Sequence, residues 1–138
     1  MSIEQNKAVV RRFITEVLTG RNIGLADELL APNYVNRMTG ADLAGMKGML
    51  AGMRAALPDS RMEIVDLVAE GDAVVARFTM EATHSGSLMG ESPTGKKFSA
   101  RGLTYYRLAD GRIVEDDPMT TPDLMQALGI QTPAQPGR

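Results

Sequence analysis

The sequence predicts an α+β domain in which helices come first and an antiparallel sheet follows. Three observations carry this expectation. Apolar residues recur at threes and fours as far as Leu57. From Arg61 the period changes to two. Late in the chain an Asp110-Gly111 dipeptide separates two strand-like runs, a strong signal for a two-residue hairpin.

Ser2-Ile3-Glu4-Gln5 has the spacing of a capping box, and Val10, Phe13, Ile14, Val17 and Leu18 form the apolar stripe of the helix behind it. Gly20 is the expected stop, in a left-handed turn. A second helix is expected over 25–31, with Leu25, Leu29 and Leu30 inward and Pro32 ending it. After a brief Tyr34-Val35 stretch, Leu43, Met46, Leu50, Met53 and Leu57 mark a third helix. Gly45, Gly48 and Gly52 each weaken it by about 1 kcal/mol relative to alanine. They imply either close packing on the sheet or a loosely held helix.

In the first strand, Met62, Ile64 and Asp66 alternate with Glu63, Val65 and Leu67. Glu70-Gly71-Asp72 reads as a turn, 73–83 as a strand and 85–95 as a loop. A long strand over 97–108 and a last one over 112–117 flank the Asp-Gly turn. Pro118 requires that this last strand end, or lie at an edge, by that point. One or two helical turns over 123–129 and a disordered tail over 131–138 complete the expectation, leaving one domain over 1–130.

Fifteen basic and seventeen acidic side chains leave a formal charge of −2, which attracts neither nucleic acid nor an anionic membrane. With no cysteine and one histidine, thiolate and histidine metal sites are not expected. No apolar run approaches the ~20 residues that cross a bilayer, and no secretory leader is visible, so a cytoplasmic protein is expected. Ten methionines stand against three phenylalanines, three tyrosines and no tryptophan. They are either ordinary core filler or a pliable lining for a bulky apolar ligand, Met53 among them.

A two-residue Asp110-Gly111 loop pairs Ala109 with Arg112. Counting back, Tyr105 is expected opposite Asp116 and Thr104 opposite Asp117. One face then carries Leu103, Tyr105, Val114 and Asp116, and the other carries Thr104, Tyr106, Ile113, Glu115 and Asp117. At most one of Asp116 and Asp117 enters a given cavity. Held in an apolar cavity, that acid has its pKa raised by desolvation and becomes a proton carrier near neutral pH. On a solvated strand end it does nothing of the kind. His84, at the end of a strand, either shuttles protons or ties the following loop to the sheet. Arg101 either pairs with Asp66 or Glu81 or binds a substrate carboxylate.

Several segments together resemble the SnoaL-like polyketide cyclase family of the nuclear-transport-factor-2-like superfamily. They are Asn6-Lys7, Arg11-Arg12-Phe13, Leu29-Leu30-Ala31-Pro32, Thr83-His84-Ser85-Gly86, Gly90, Pro93-Thr94-Gly95-Lys96, Arg101-Gly102 and Asp110-Gly111-Arg112-Ile113-Val114-Glu115. The likeness extends from about Asn6 to about Gly129. It implies a cone-shaped, strongly curved antiparallel sheet with three N-terminal helices and a pocket inside the cone. It also implies a homodimer through the outer face, no cofactor, and acid/base chemistry on a hydrophobic carbonyl compound, by cyclisation, isomerisation or hydration. By the same resemblance Asp116 or Asp117 is the catalytic acid, with His84 and Tyr105 assisting. Tyr34 and Asn36 edge the pocket where relatives resemble Phe-Val-Asp-His, and Leu88 and Met89 act as lid residues. Two departures stand out. Asp116-Asp117-Pro118 replaces the His-Trp of many relatives, and the 97–108 strand lacks the histidine that aldol cyclases use there. A noncatalytic binding module or a dimerisation domain is the competing class.

Overall fold

The computed structural model describes residues 2–87 and 92–121. Gly90, the lid residues Leu88 and Met89, the helical turns expected over 123–129 and the tail lie outside the described residues.

The first helix, α1 (Ile3–Arg12), carries the expected capping box, with Ser2 Oγ accepting from the Gln5 amide and the Gln5 side chain accepting from the Ser2 amide. It then widens into a π-helical segment, Phe13–Thr19, which buries Phe13, Ile14 and Val17. The left-handed turn expected at Gly20 falls instead on Arg21, with φ 60°. Gly20 has an ordinary right-handed φ of −76°, and it is needed because a Cβ there would lie 2.7 Å from the Glu16 carbonyl oxygen.

The second helix is shorter than expected. A 3₁₀ turn, Ile23–Leu25, leads into α2 (Ala26–Leu29), and Leu30 already begins the strand β1 (Leu30–Asn36). Pro32 therefore lies within a strand, which is tolerated because β1 is an edge. The third helix, α3 (Leu43–Ala56), is capped by Asp42 Oδ1 accepting from the Gly45 amide. Among the described residues, nothing lies within 4 Å of a Cβ position at Gly48 or Gly52, so neither glycine is required there for close packing.

Four strands follow: β2 (Arg61–Glu70), β3 (Ala73–Thr83), β4 (Lys97–Ala109) and β5 (Arg112–Thr121). The sheet is curled and unclosed, in the order β1-β5-β4-β3-β2, antiparallel except for the parallel β1–β5 pair. Asp110 and Gly111 both take positive φ, 51° and 79°, as a type I′ hairpin turn requires. Among the described residues no strand pairs with the β1 side of β5 beyond Asp116, where Arg37 donates its amide to the Asp116 carbonyl, and the strand continues through Pro118.

Two irregularities overturn the simple alternation expected from the sequence. Between Ile64 and Asp66 the β2–β3 register slips by one residue, turning Asp66 outward and Leu67 into the core. Between Arg107 and Leu108 the β4–β5 register slips likewise, with Val114 the extra residue. The helices and the inner face of the sheet enclose a core of Val10, Phe13, Ile14, Leu30, Val74, Ala76, Tyr106, Leu108 and Ile113. Phe13 meets Tyr106 edge to face at 6.2 Å.

Candidate active site

The Val114 bulge decides which acid enters the molecule. Ala109 pairs with Arg112 as expected, but beyond the bulge Tyr106 lies opposite Asp116 and Tyr105 opposite Asp117. This corrects the expected pairing of Tyr105 with Asp116. Asp116 joins Tyr106 and Thr104 on the buried face, with 4% of its surface exposed. Asp117 and Tyr105 are exposed on the outer face. Counting from the turn misses Tyr106 and Thr104 as neighbours of Asp116, because nothing in the sequence marks Val114 as an inserted residue.

The β1 strand supplies the partner of Asp116. Its register against β5 is broken between Leu30 and Val35, where five steps along β1 match two along β5. Tyr34 lies in this irregular stretch, is 2% exposed, and donates its hydroxyl to Asp116 Oδ2 at 2.6 Å. Asn36, also buried, lies opposite Asp116 in the strand pair. Its Oδ1 accepts from the amides of Met38 at 2.9 Å and Thr39 at 3.0 Å. Asp116 Oδ1 has no hydrogen-bond partner among the described residues.

Burial pushes the Asp116 carboxyl from 3.8 up to about 6, against the hydrogen bond from Tyr34, with the charge of Asp117 adding to the rise. Tyr34 is raised by burial first, then by the charge of Asp116 and the hydrogen bond to it, while the Asn36 side chain opposes the rise. Tyr106 is raised by burial and by Asp116, against a hydrogen bond with Thr104. Both tyrosines thus remain neutral donors beside a carboxyl group poised to exchange its proton near neutrality.

His84 is fully buried at the end of β3. Its Nδ1 lies 3.0 Å from Thr94 Oγ1 and 3.3 Å from the Thr94 amide, which donates to it. Its backbone amide and carbonyl bond Lys96 and Gly95. The amides of Ser85 and Gly86 donate to the Ala56 carbonyl at the end of α3. This set of contacts ties the loop to both sheet and helix. Nε2, also buried, has no partner among the described residues.

His84 and the other expected residues are placed apart from Asp116: Thr83, next to His84, pairs with Lys97 at the far end of β4, nine residues from the Tyr106–Asp116 pair. Met53 is half-buried against a small second cluster of Ala56, Leu57, Ala82 and Phe98. Arg101 is exposed on the outer face with Arg77, Leu103 and Met119, around a shallow hollow of about 390 Å³. Its expected partner Glu81 pairs instead with Arg61, at 3.2 Å. Arg37 pairs with Glu115 at 3.1 Å, and Arg107 approaches the same carboxylate at 3.3 Å. Among the described residues, no group of three or more His, Asp and Glu is disposed to hold a metal ion, and no helix is long and apolar enough to cross a membrane.

Comparison with known proteins supplies context for this geometry. The family model for SnoaL-like polyketide cyclases matches residues 8–128. Aklanonic acid methyl ester cyclase AcmA of Streptomyces galilaeus is 28% identical over 113 residues, covering 77% of each chain. Among solved structures, IdmH of Streptomyces antibioticus, a proposed polyketide cyclase, superposes with a TM-score of 0.77 at 27% identity, over 91% of this chain and 99% of that one. AclR of S. galilaeus, a proposed hydroxylase, gives 0.80 at 26% identity, over 98% and 91%.

Proposed function

The chain belongs to the SnoaL-like polyketide cyclase family, and from that premise we propose that it is a small-molecule enzyme whose proton carrier is Asp116. The observation that carries this reading is the position of Asp116, buried, with one oxygen bound to Tyr34 and the other without a partner. The ligand is a hydrophobic, carbonyl-bearing compound of polyketide type. The chemistry is acid/base chemistry in which no cofactor takes part. Asp116 removes a proton from the carbon next to a carbonyl, the enolate electrons form the new bond, and the same carboxyl returns the proton to the developing oxyanion or carbon. Such general acid/base transfer contributes roughly 10²–10⁴ in rate when the carboxyl pKa lies near the working pH.

Cyclisation and isomerisation share this step; in hydration the carboxyl instead takes a proton from water as its oxygen adds to an enone, and returns that proton to the α-carbon of the enolate so formed. AcmA is a cyclase and AclR a proposed hydroxylase at similar identity, so likeness does not choose among reactions. His84 ties its loop to sheet and helix beside the Ala56–Phe98 cluster, away from Asp116, so its role is structural. Asn36 and Tyr34 belong to the site, whereas Arg101, Tyr105 and Asp117 belong to a second feature, the outer face. There Val68, Leu103, Tyr105 and Met119 are exposed together, fringed by Arg77 and Arg101. Two copies meeting through this face bury the patch. A Leu103→Glu variant should then elute as a monomer in size-exclusion chromatography with light scattering, and an unchanged mass would remove this interface.

The decisive test of catalysis uses aklanonic acid methyl ester and related carbonyl compounds as candidate substrates. Asp116→Asn should lose turnover by at least about a hundredfold and retain ligand binding. Turnover unchanged by that substitution would exclude Asp116 from the chemistry. Binding without turnover by the native chain across the panel would favour a noncatalytic binding module.

A further inference from the structure

We propose that Thr83-His84-Ser85-Gly86 is a latch on the C-terminal end of α3, and that α3 is a gate whose release at that end admits an apolar ligand to the interior. Neither role depends on the chemistry of Asp116.

Each residue of the segment has its contact. The Thr83 amide and hydroxyl donate to the two Asp59 carboxylate oxygens, at 2.8 and 2.7 Å, just past the end of α3. The Ser85 and Gly86 amides both donate to the Ala56 carbonyl, at 3.0 and 2.9 Å. A carbonyl in the last turn of a helix has no intrahelical partner, so these two amides serve as its cap. His84, between them, bonds Thr94 through its side chain and Gly95 and Lys96 through its backbone. The segment therefore grips the exit of α3 on one side and the 94–96 loop on the other. Gly86 is required for this grip, because a Cβ there would overlap the Ala55 carbonyl oxygen and lie 3.0 Å from Ala56 Cα.

The helix held in this way is weak in itself. Gly48 and Gly52 lie in its interior on the exposed side, where a Cβ would meet nothing within 4 Å among the described residues. Packing gives no reason for glycine there, and each one favours local opening roughly fivefold over alanine. Inward, α3 presents Met46, which is buried, and Met49, Leu50 and Met53, which are half-buried. Methionine changes shape at low cost, so this face parts from its neighbours and re-forms readily. At the latched end lie Ala56, Leu57, Ala82 and Phe98, a small apolar cluster separate from the main core. A small cluster opens more easily than the main core does, and a compound entering there meets apolar surface first.

The test begins with amide hydrogen exchange, read residue by residue by NMR. In the native chain the α3 amides should exchange as one unit, at least roughly a hundredfold faster than those of β3 and β4. Gly48→Ala/Gly52→Ala should slow the α3 amides by about 10–30-fold. Gly86→Ala should speed those at the C-terminal end of α3 by about tenfold. Should Gly86→Ala fail to fold, Asp59→Ala releases the latch from its exposed side and should speed the same amides. The gate is then read by stopped-flow entry of N-phenylnaphthylamine, a neutral apolar probe. Its entry and exit rates should fall together in the double-alanine variant and rise together in the latch variant, with Kd unchanged, because a gate alters the path and leaves the bound state alone. Protection of α3 equal to that of β3 and β4 would overturn the proposal, since α3 would then open only with the whole fold. Probe entry at one rate in all variants, or no binding of the probe, would overturn it as well.

Discussion

Replacing Asp116 by asparagine should stabilise the protein at alkaline pH. The carboxyl is held at about 6 in the fold against 3.8 in the unfolded chain, with burial the main cause. A raised carboxyl pKa means the folded state binds the proton more tightly than the unfolded state does. Stability therefore falls as pH rises from about 4 through about 6, and stays low above that. At 1.36 kcal/mol per pH unit, the rise corresponds to about 3 kcal/mol of destabilisation at pH 8. Asparagine has nearly the same shape, accepts the Tyr34 hydroxyl through its carbonyl oxygen, and never ionises. The assay is urea unfolding of both proteins at intervals between pH 3.5 and 8. Other titrating groups are common to both, so the difference between the two curves isolates position 116. That difference should move in favour of asparagine by about 3 kcal/mol across the range, or on the order of 10 °C in melting temperature at the alkaline end. A difference that stays flat with pH would refute the reasoning, because it would mean that Asp116 is solvated or compensated. A difference of opposite slope would mean that the Tyr34 hydrogen bond outweighs burial.

Two further outcomes are expected. Alanine at Gly20 gains helix propensity at an allowed φ, yet its Cβ would lie 2.7 Å from the Glu16 carbonyl oxygen. The clash should win, destabilising the protein by about 1–3 kcal/mol in chemical denaturation, and an unchanged midpoint would show that the helix end relaxes freely. Thr94→Val removes the hydroxyl partner of His84 Nδ1, and should weaken the loop tie by about 1 kcal/mol and speed amide exchange at Gly95. Unchanged exchange at Gly95 would show that the backbone bonds alone hold the loop.

Local chemistry was legible wherever one residue type determines one conformation. The Ser2–Gln5 capping box and the Asp110-Gly111 turn form as the sequence predicts, because each depends only on neighbours in the chain. Register was not legible. Alternation by twos assumes that no residue is inserted, and each of the bulges at Val65 and Val114 shifts the face of everything after it. The sequence predicts that only one of Asp116 and Asp117 enters the interior, and that holds. The count from the turn pairs Asp116 with Tyr105, and the one inserted residue moves that partner to Tyr106. Pro32 misled in a different way. Its spacing predicts a helix end, whereas the chain leaves the helix at Leu29 and Pro32 uses an edge strand's tolerance for a missing amide.

The irregularities of the sheet converge on the same carboxyl group. Val114 is the extra residue of the β5 bulge two positions before Asp116, the broken β1 register carries Tyr34, and Pro118 follows two residues later, past the described β1–β5 pairing. Bulges re-aim side chains and interrupt pairing, and they gather where a strand has a task other than packing. A regular β5 in the register counted from the turn would put Asp116 beside Tyr105, which faces outward, and its desolvation would vanish. The fold instead accepts about 3 kcal/mol of destabilisation at neutral to alkaline pH to keep an ionisable group under cover. An acid buried at such a cost, with one oxygen bonded by a neutral phenol and the other without a partner among the described residues, is what the proposed role of Asp116 as proton carrier requires.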